Sequence, residues 1–378
     1  MKERNKGLDL LRIMSMYMVV ILHILSQGSG LLTKLTPGSI AWNFAWLLEI
    51  ACYCAVNCFI LITGYLMIDR LVKVSNIVTL WFQVVFYSIG ITIIYLILDR
   101  EMLNATVFIK SFFPVIGQQY WYFTAYFAMF LLLPFINSLL GQLNKWQYTM
   151  FLAILVGLFS IVNTLSLDDC FKIENGYSVI WMIAVYSIGG YIKRFDIFTK
   201  KPMRLFVGYL IAILLTWIIK VFSITVPIIR LEGTIINSAF AVLSSALITY
   251  SAPTILCASI CLFGIFKQIQ GRTSKFILWI SKMSFAVYLI HTHPLIFYNT
   301  LPDAFAFVLN IPWGGQTLMV LLVAASIFII CLFIESFRQL LFRLCRIEKL
   351  SKFVDRWIGN FRSYIQTRIN ASNKDDIE

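Results

Sequence analysis

The sequence predicts an all-α, polytopic integral membrane protein of about ten transmembrane helices with both termini cytosolic, and three observations carry that prediction. Hydrophobic residues fill 60% of the 378 positions against 13% charged, more apolar side chain than a soluble core of this length hides. They gather into long runs separated by short polar stretches. Lys and Arg, 31 in all, alternate in density between successive stretches, as the positive-inside bias of membrane loops requires.

The first run, GLDLLRIMSMYMVVILHILS, extends from Gly7 to Ser26. A helix rising about 1.5 Å per residue needs roughly 20 residues to cross a bilayer, so this run is long enough. It has no small-residue cleavage site and is read as a retained helix, not a signal peptide. Arg12 and His23 lie inside it, and ionisable groups in hydrocarbon are costly. Eleven residues at about 100° each return a helix to within roughly 20° of the same face, about 16 Å further along its axis. One wall therefore presents a fixed cation near its start and an imidazole deeper in, with Asp9 a turn before the Arg.

The remaining spans are placed at about 42–68, 76–98, 118–140, 147–165, 177–193, 204–223, 236–266, 278–299 and 315–342. Glu49 falls inside the second, and Tyr120, Trp121 and Tyr122 open the fourth. Lys220 lies near the outer end of the seventh, where it snorkels. The eighth is over-long and is expected to kink at Pro253, which removes a backbone donor. His291 and His293 close the ninth. With these boundaries Lys34, Arg100, Lys110, Lys172 and Arg230 fall on one side, whereas almost all other Lys and Arg fall on the side of the termini, which is therefore the cytosol.

Past the last span, Phe353, Trp357, Phe361, Tyr364 and Ile365 share a helical face bordered by Lys352, Arg356, Arg362 and Arg368. The segment from Lys349 to Ile369 is expected to lie on the inner leaflet, ahead of a polar tail. The chain thus divides into a membrane domain, 1–348, and an interfacial segment, 349–378. The net charge of +13 sits between apolar runs, which marks the lipid bilayer and not nucleic acid as its partner. Eight cysteines show no CxxC spacing and lie mostly in apolar runs, so neither disulfides nor a metal site is expected. No P-loop, dinucleotide fingerprint or internal repeat is present, and any chemistry belongs to the helices and their short loops.

Four local patterns occur in order: GLDLLR followed by His23, AVNCFILITGYLM from Ala55 to Met67, YWYFTAYFAMFLLLPFIN from Tyr120 to Asn137, and SKMSFAVYLIHTHPL from Ser281 to Leu295. Together they resemble the membrane-bound acyltransferase family 3, in particular its surface-polysaccharide O-acetyltransferase-like branch in Gram-positive bacteria. The resemblance runs from Gly7 to about Phe342. It implies transfer of an acyl group, usually acetyl from acetyl-CoA, to a hydroxyl of a cell-envelope glycan or its lipid-linked precursor, in a bacterial plasma membrane. It also implies that Arg12 and His23 are the essential pair, that Asp9 is the acidic residue ahead of the Arg, and that Gly64, Trp121, Tyr122 and His291 fall on family positions. Many relatives carry Asp where this chain has Asn57 and Ser where it has Thr63, and some carry an Arg pair where it has Arg70 and Lys73.

The residues support a matching chemistry. Acyl transfer from a thioester to a hydroxyl needs a base, and an imidazole titrating near neutrality suits it, so His23 is the expected base. Arg12, with Asp9, Arg70 and Lys73, is the expected binding set for acyl-CoA, because a guanidinium fork fits phosphate. No permanently bound cofactor is expected. For Glu49 two readings stand, a carboxylate orienting His23 and an outer-interface carboxylate in a water-filled vestibule. His291 is divided between site residue and structural polar contact. For Tyr120, Trp121 and Tyr122 the interfacial aromatic belt stands ahead of a sugar-stacking surface. A flippase of a lipid-linked glycan, using Arg12, His23, Glu49 and His291 as a polar pathway, is the alternative from another class.

Overall fold

The computed structural model describes residues 5–70, 74–98, 105–166, 169–198, 201–228 and 242–346, together with Phe353 and Arg356. Helices dominate, and among the described residues the sole β-type pairing is an isolated bridge between Asn5 and Arg272. Among the described residues, seven helical stretches are long and apolar enough to cross a membrane. The other three expected segments fall on helices of 15 to 17 residues, short of the roughly 20 that a straight span requires.

Helix α1 is Lys6–His23. Its first turn is closed by Asn5, whose side chain accepts from the Leu8 N–H at 3.1 Å, and its last turn widens into a π-helical turn over Ile24–Gly28. Next come α2, Ile40–Cys52, and α3, Ala55–Met67. Sequence periodicity gives one helix over 42–68, whereas the helix is interrupted at Tyr53 and Cys54, leaving two pieces within a single 28-residue stretch. The next two helices are α4, Val74–Leu98, and α5, Trp121–Gln142. Helix α6, Lys145–Val156, starts with a reciprocal capping box between Asn144 and Gln147 and runs on through a π-helical turn, Gly157–Val162, into Asn163–Leu165. Helices α7, Val179–Phe195, and α8, Pro202–Ile228, follow.

The expected kink at Pro253 is a full break. Residues 248–252 leave helical geometry, Ala252 adopts ψ 137°, and Pro253 becomes the first residue of α9, Pro253–Lys267. Proline disfavours helical geometry in the residue before it and is pre-shaped for a helix start, which accounts for both facts. Helix α10, Lys275–His291, is capped by Ser274 and stops at its histidine, not at 299. Helix α11 is Trp313–Leu344. The Lys349–Ile369 segment falls outside the described residues, Phe353 and Arg356 apart.

Helices α1, α3, α7, α9 and α10 form the centre. Between α3 and α7 the backbones touch: a Cβ on Gly64 would stand 2.1 Å from the Tyr186 carbonyl oxygen, and one on Gly189 2.4 Å from that of Leu61. Small residues permit such crossings where helices gain little from hydrophobic association. Around this centre α11 turns Leu318, Leu322, Ile329, Phe333 and Phe337 outward along one side, an apolar face suited to lipid. Its opposite side holds Glu335, which accepts from the Tyr87 hydroxyl of α4 at 2.6 Å, from Arg338 at 2.5 and 2.7 Å, and from Gln339 at 3.0 Å. The buried carboxylate is thereby fully engaged, as a charge removed from water must be.

Candidate active site

A cavity of about 280 Å³ lies between α1, α3, α5 and α10, and both Arg12 and His23 line it. The helical repeat places the two on one wall, roughly 16 Å apart along α1.

At one end Arg12 is held from α10. Ser281 Oγ accepts from Arg12 Nη1 at 3.1 Å and donates to Asp9 Oδ1 at 2.9 Å, while Arg12 Nη1 itself stands 3.5 Å from that carboxylate oxygen. Thr273 donates to the other Asp9 oxygen at 3.3 Å. Asp9 is only 2% exposed, so its carboxylate lies behind the guanidinium and steers it. The Arg12 side chain stays 25% exposed, and Lys282 lines the cavity beside it.

At the other end His23 Nδ1 lies 2.9 Å from His291 Nε2. His291 Nδ1 is in turn 2.5 Å from the Val287 carbonyl oxygen, one helical turn back. A carbonyl only accepts, so His291 carries its proton on Nδ1, its Nε2 accepts, and His23 donates from Nδ1. The Nε2 of His23 is then left with its lone pair. Phe297 packs edge-on against the His23 ring at 5.0 Å and limits its rotation.

Tyrosines line the middle and far wall. The Tyr288 hydroxyl accepts from the Tyr122 backbone N–H at 3.3 Å, so its own proton is directed elsewhere. Tyr122 and Tyr126 stack at 6.0 Å, and Trp121 stacks on Tyr250 at 5.8 Å with Tyr177 against both. Trp121, Tyr122, Tyr126, Tyr250 and Tyr288 all line the cavity. Trp121 and Tyr122 thus point inward and do not form the belt that their position at a helix start suggests. Tyr120 is buried and packs on Tyr288 and His293, outside the cavity lining.

The ring hydrogen-bonded to His23 is that of His291, and Glu49 does not reach it. Glu49 is buried, makes no hydrogen bond to His23, and has its Oε2 unpaired among the described residues. Both nitrogens of His293 are occupied by backbone, Nε2 donating to the Ser88 carbonyl at 3.2 Å and Nδ1 accepting from Leu295 N–H at 3.3 Å, so that ring is a structural tie. Arg70 is exposed and does not line the cavity, and Lys73 falls outside the described residues. Asn57 accepts from Trp181 Nε1 at 3.1 Å and donates to the Tyr250 carbonyl at 2.8 Å, a donation that an aspartate cannot make. Sequence reasoning passed over Tyr288, Lys282 and Ser281. The spacing of Tyr288 to His291, three residues on one helix, is the signal that would have found the first.

An all-helical membrane protein with a guanidinium and an oriented imidazole on one cavity wall is built for chemistry inside the bundle. A family profile described as an acyltransferase domain matches residues 5–344, and the protein belongs to this family, acyltransferase family 3. It is therefore a membrane acyltransferase. No curated protein and no solved structure gives a significant match.

Proposed function

We propose that the protein transfers an acetyl group from acetyl-CoA to a hydroxyl of a bacterial cell-envelope polysaccharide or its lipid-linked precursor, with both termini in the cytosol and the acceptor reaching the cavity from the opposite side. The reading rests on one observation, that Arg12 and His23 both line the same cavity while the Nδ1 of His23 is engaged by His291.

Arg12 takes a phosphate of CoA, with Lys282 supplying a second cation, and the pantetheine arm runs along the tyrosine-lined wall towards His23. His23 Nε2 removes the proton of the acceptor hydroxyl. The oxygen then attacks the thioester carbonyl, the Tyr288 hydroxyl donates to the oxygen that gains negative charge, and the carbon–sulfur bond breaks. The departing thiolate takes the proton back from His23, giving the ester and free CoA. His291 keeps the base in the tautomer that this cycle needs throughout, as a third residue does in other base-assisted acyl transfers. Trp121 and Tyr250 offer stacked rings for the apolar face of a sugar.

Purified protein in nanodiscs, given labelled acetyl-CoA, should release CoA and label de-esterified envelope glycan. Intact acetyl-CoA after prolonged incubation with folded protein would overturn the reading.

A further inference from the structure

At the end of the bundle that carries Asn5, two lysines converge on one tyrosine. Lys193, in the last turn of α7, holds its Nζ 4.8 Å from the centre of the Tyr65 ring of α3. Lys267, the last residue of α9, holds its Nζ 5.8 Å from the same ring and 5.6 Å from that of Phe198. The Lys267 side chain is only 12% exposed and is paired with the exposed Asp196. Among the described residues Lys193 makes no ion pair or hydrogen bond, and the Tyr65 hydroxyl makes no hydrogen bond. A ring face attracts a cation but carries no net charge, so the charge and the three donors of Lys193 are left for an anion to take up.

The cluster is separate from the cavity of His23. Thr63 lines that cavity, and two residues turn a helix by about 200°, which puts Tyr65 on the opposite side of α3. There α9 meets the start of α8: a Cβ on Gly264, three residues before Lys267, would stand 2.8 Å from Leu205 and 2.9 Å from Phe198. Met203, Phe206 and Val207, on the same first turns of α8, are exposed, an apolar surface of the kind that faces acyl chains. Cations gathered beside such a surface at the end of a helix bundle match a ligand with an anionic head and apolar chains.

We propose that Lys193, Lys267 and Tyr65 bind the phosphate of an anionic phospholipid, such as phosphatidylglycerol, with its chains laid along the start of α8. A lysine meets phosphate as a compact point charge on a flexible stem, so the two ammonium groups can close on one phosphate from either side of the ring, and the Tyr65 hydroxyl adds a further donor. The site also touches the helix that carries Arg12 and His23. Asn5 Nδ2 donates to the Lys267 carbonyl at 3.2 Å, and a Cβ on Gly7 would stand 1.7 Å from the Phe266 carbonyl oxygen, so a lipid held at Lys267 braces the start of α1.

The test titrates delipidated full-length protein in detergent with phosphatidylglycerol and, separately, with zwitterionic phosphatidylcholine, and counts bound lipid by native mass spectrometry. The unaltered protein should bind phosphatidylglycerol about tenfold more tightly than phosphatidylcholine. Lys193→Gln should lose that preference, the scale of one hydrogen bond to a charged group, and Lys193→Arg should keep it. Lys145→Gln removes the same charge from the exposed start of α6 and should bind as the unaltered protein does. Lys193 is tied only to a ring face, so its variants keep the fold, which thermal unfolding without lipid checks. Equal binding of the two lipids overturns the site, as does an equal loss in Lys145→Gln and Lys193→Gln. Displacement of the lipid by glycerophosphoglycerol at the lipid's own affinity would make the ligand a soluble phosphate, and displacement by CoA would make it the donor; either result overturns the proposal.

Discussion

His23 Nδ1 and His291 Nε2, 268 residues apart in the chain, stand 2.9 Å apart, and the order of protons along that line is set from its far end by the Val287 carbonyl. Removing the base should lower turnover by about 10² or more while CoA affinity is retained, the usual scale for losing a general base. His23→Ala measured for turnover and CoA binding in nanodiscs checks this; a well-expressed variant with normal turnover would sink the mechanism. Because His291 acts through His23, His291→Ala should be slower than wild type, yet the double variant should be no slower than His23→Ala alone. Additive losses would mean that His291 has a separate role.

Arg12→Ala should weaken CoA binding more than it slows the bound complex, and Arg12→Lys should be intermediate, since an ammonium meets phosphate as a point charge and not as a fork. Asp9→Asn keeps the side-chain volume but removes the charge behind the guanidinium. Its loss of CoA affinity should be smaller than that of Arg12→Ala. Titration of immobilised nanodiscs with CoA distinguishes the three.

Tyr288→Phe deletes one hydroxyl and leaves the ring packing. If that hydroxyl steadies the oxyanion, kcat should fall by roughly 10² with KM for acetyl-CoA little changed, as for single oxyanion donors elsewhere. A rise in KM at constant kcat would assign Tyr288 to binding alone.

Away from the cavity, Glu335→Ala should destabilise the protein by about 3–5 kcal/mol, because it strands the buried Arg338. Thermal unfolding in detergent gives the loss. Turnover per folded molecule should remain near that of wild type, since neither residue lines the cavity.

The helices and the Arg12 to His23 stripe were legible because they rest on local periodicity, which a sequence states directly. What touches His23 was not. Glu49 and His291 are both polar residues inside apolar runs, and the choice between them is made by how α1 meets α10, a contact with no local trace. Trp121 and Tyr122 illustrate the same limit: an aromatic pair at a helix start reads alike whether it faces lipid or a cavity. Pro253 shows a smaller one, in which proline announces a disturbance but not whether the helix bends or begins anew.

The contact between Gly64 and Tyr186 has a mechanical consequence. With carbonyl oxygens lodged where side chains would be, α3 and α7 have no compliant layer between them and move as one block, so Gly64→Ala should be costly even though the glycine lines nothing. Phe59 and Thr63, on the cavity side of α3, are then the stator of the machine. The play needed to admit a substrate falls to the wall opposite, where α5 meets α10 through tyrosine rings and the 3.3 Å hydrogen bond from the Tyr122 N–H to the Tyr288 hydroxyl, a joint made of parts that can slide.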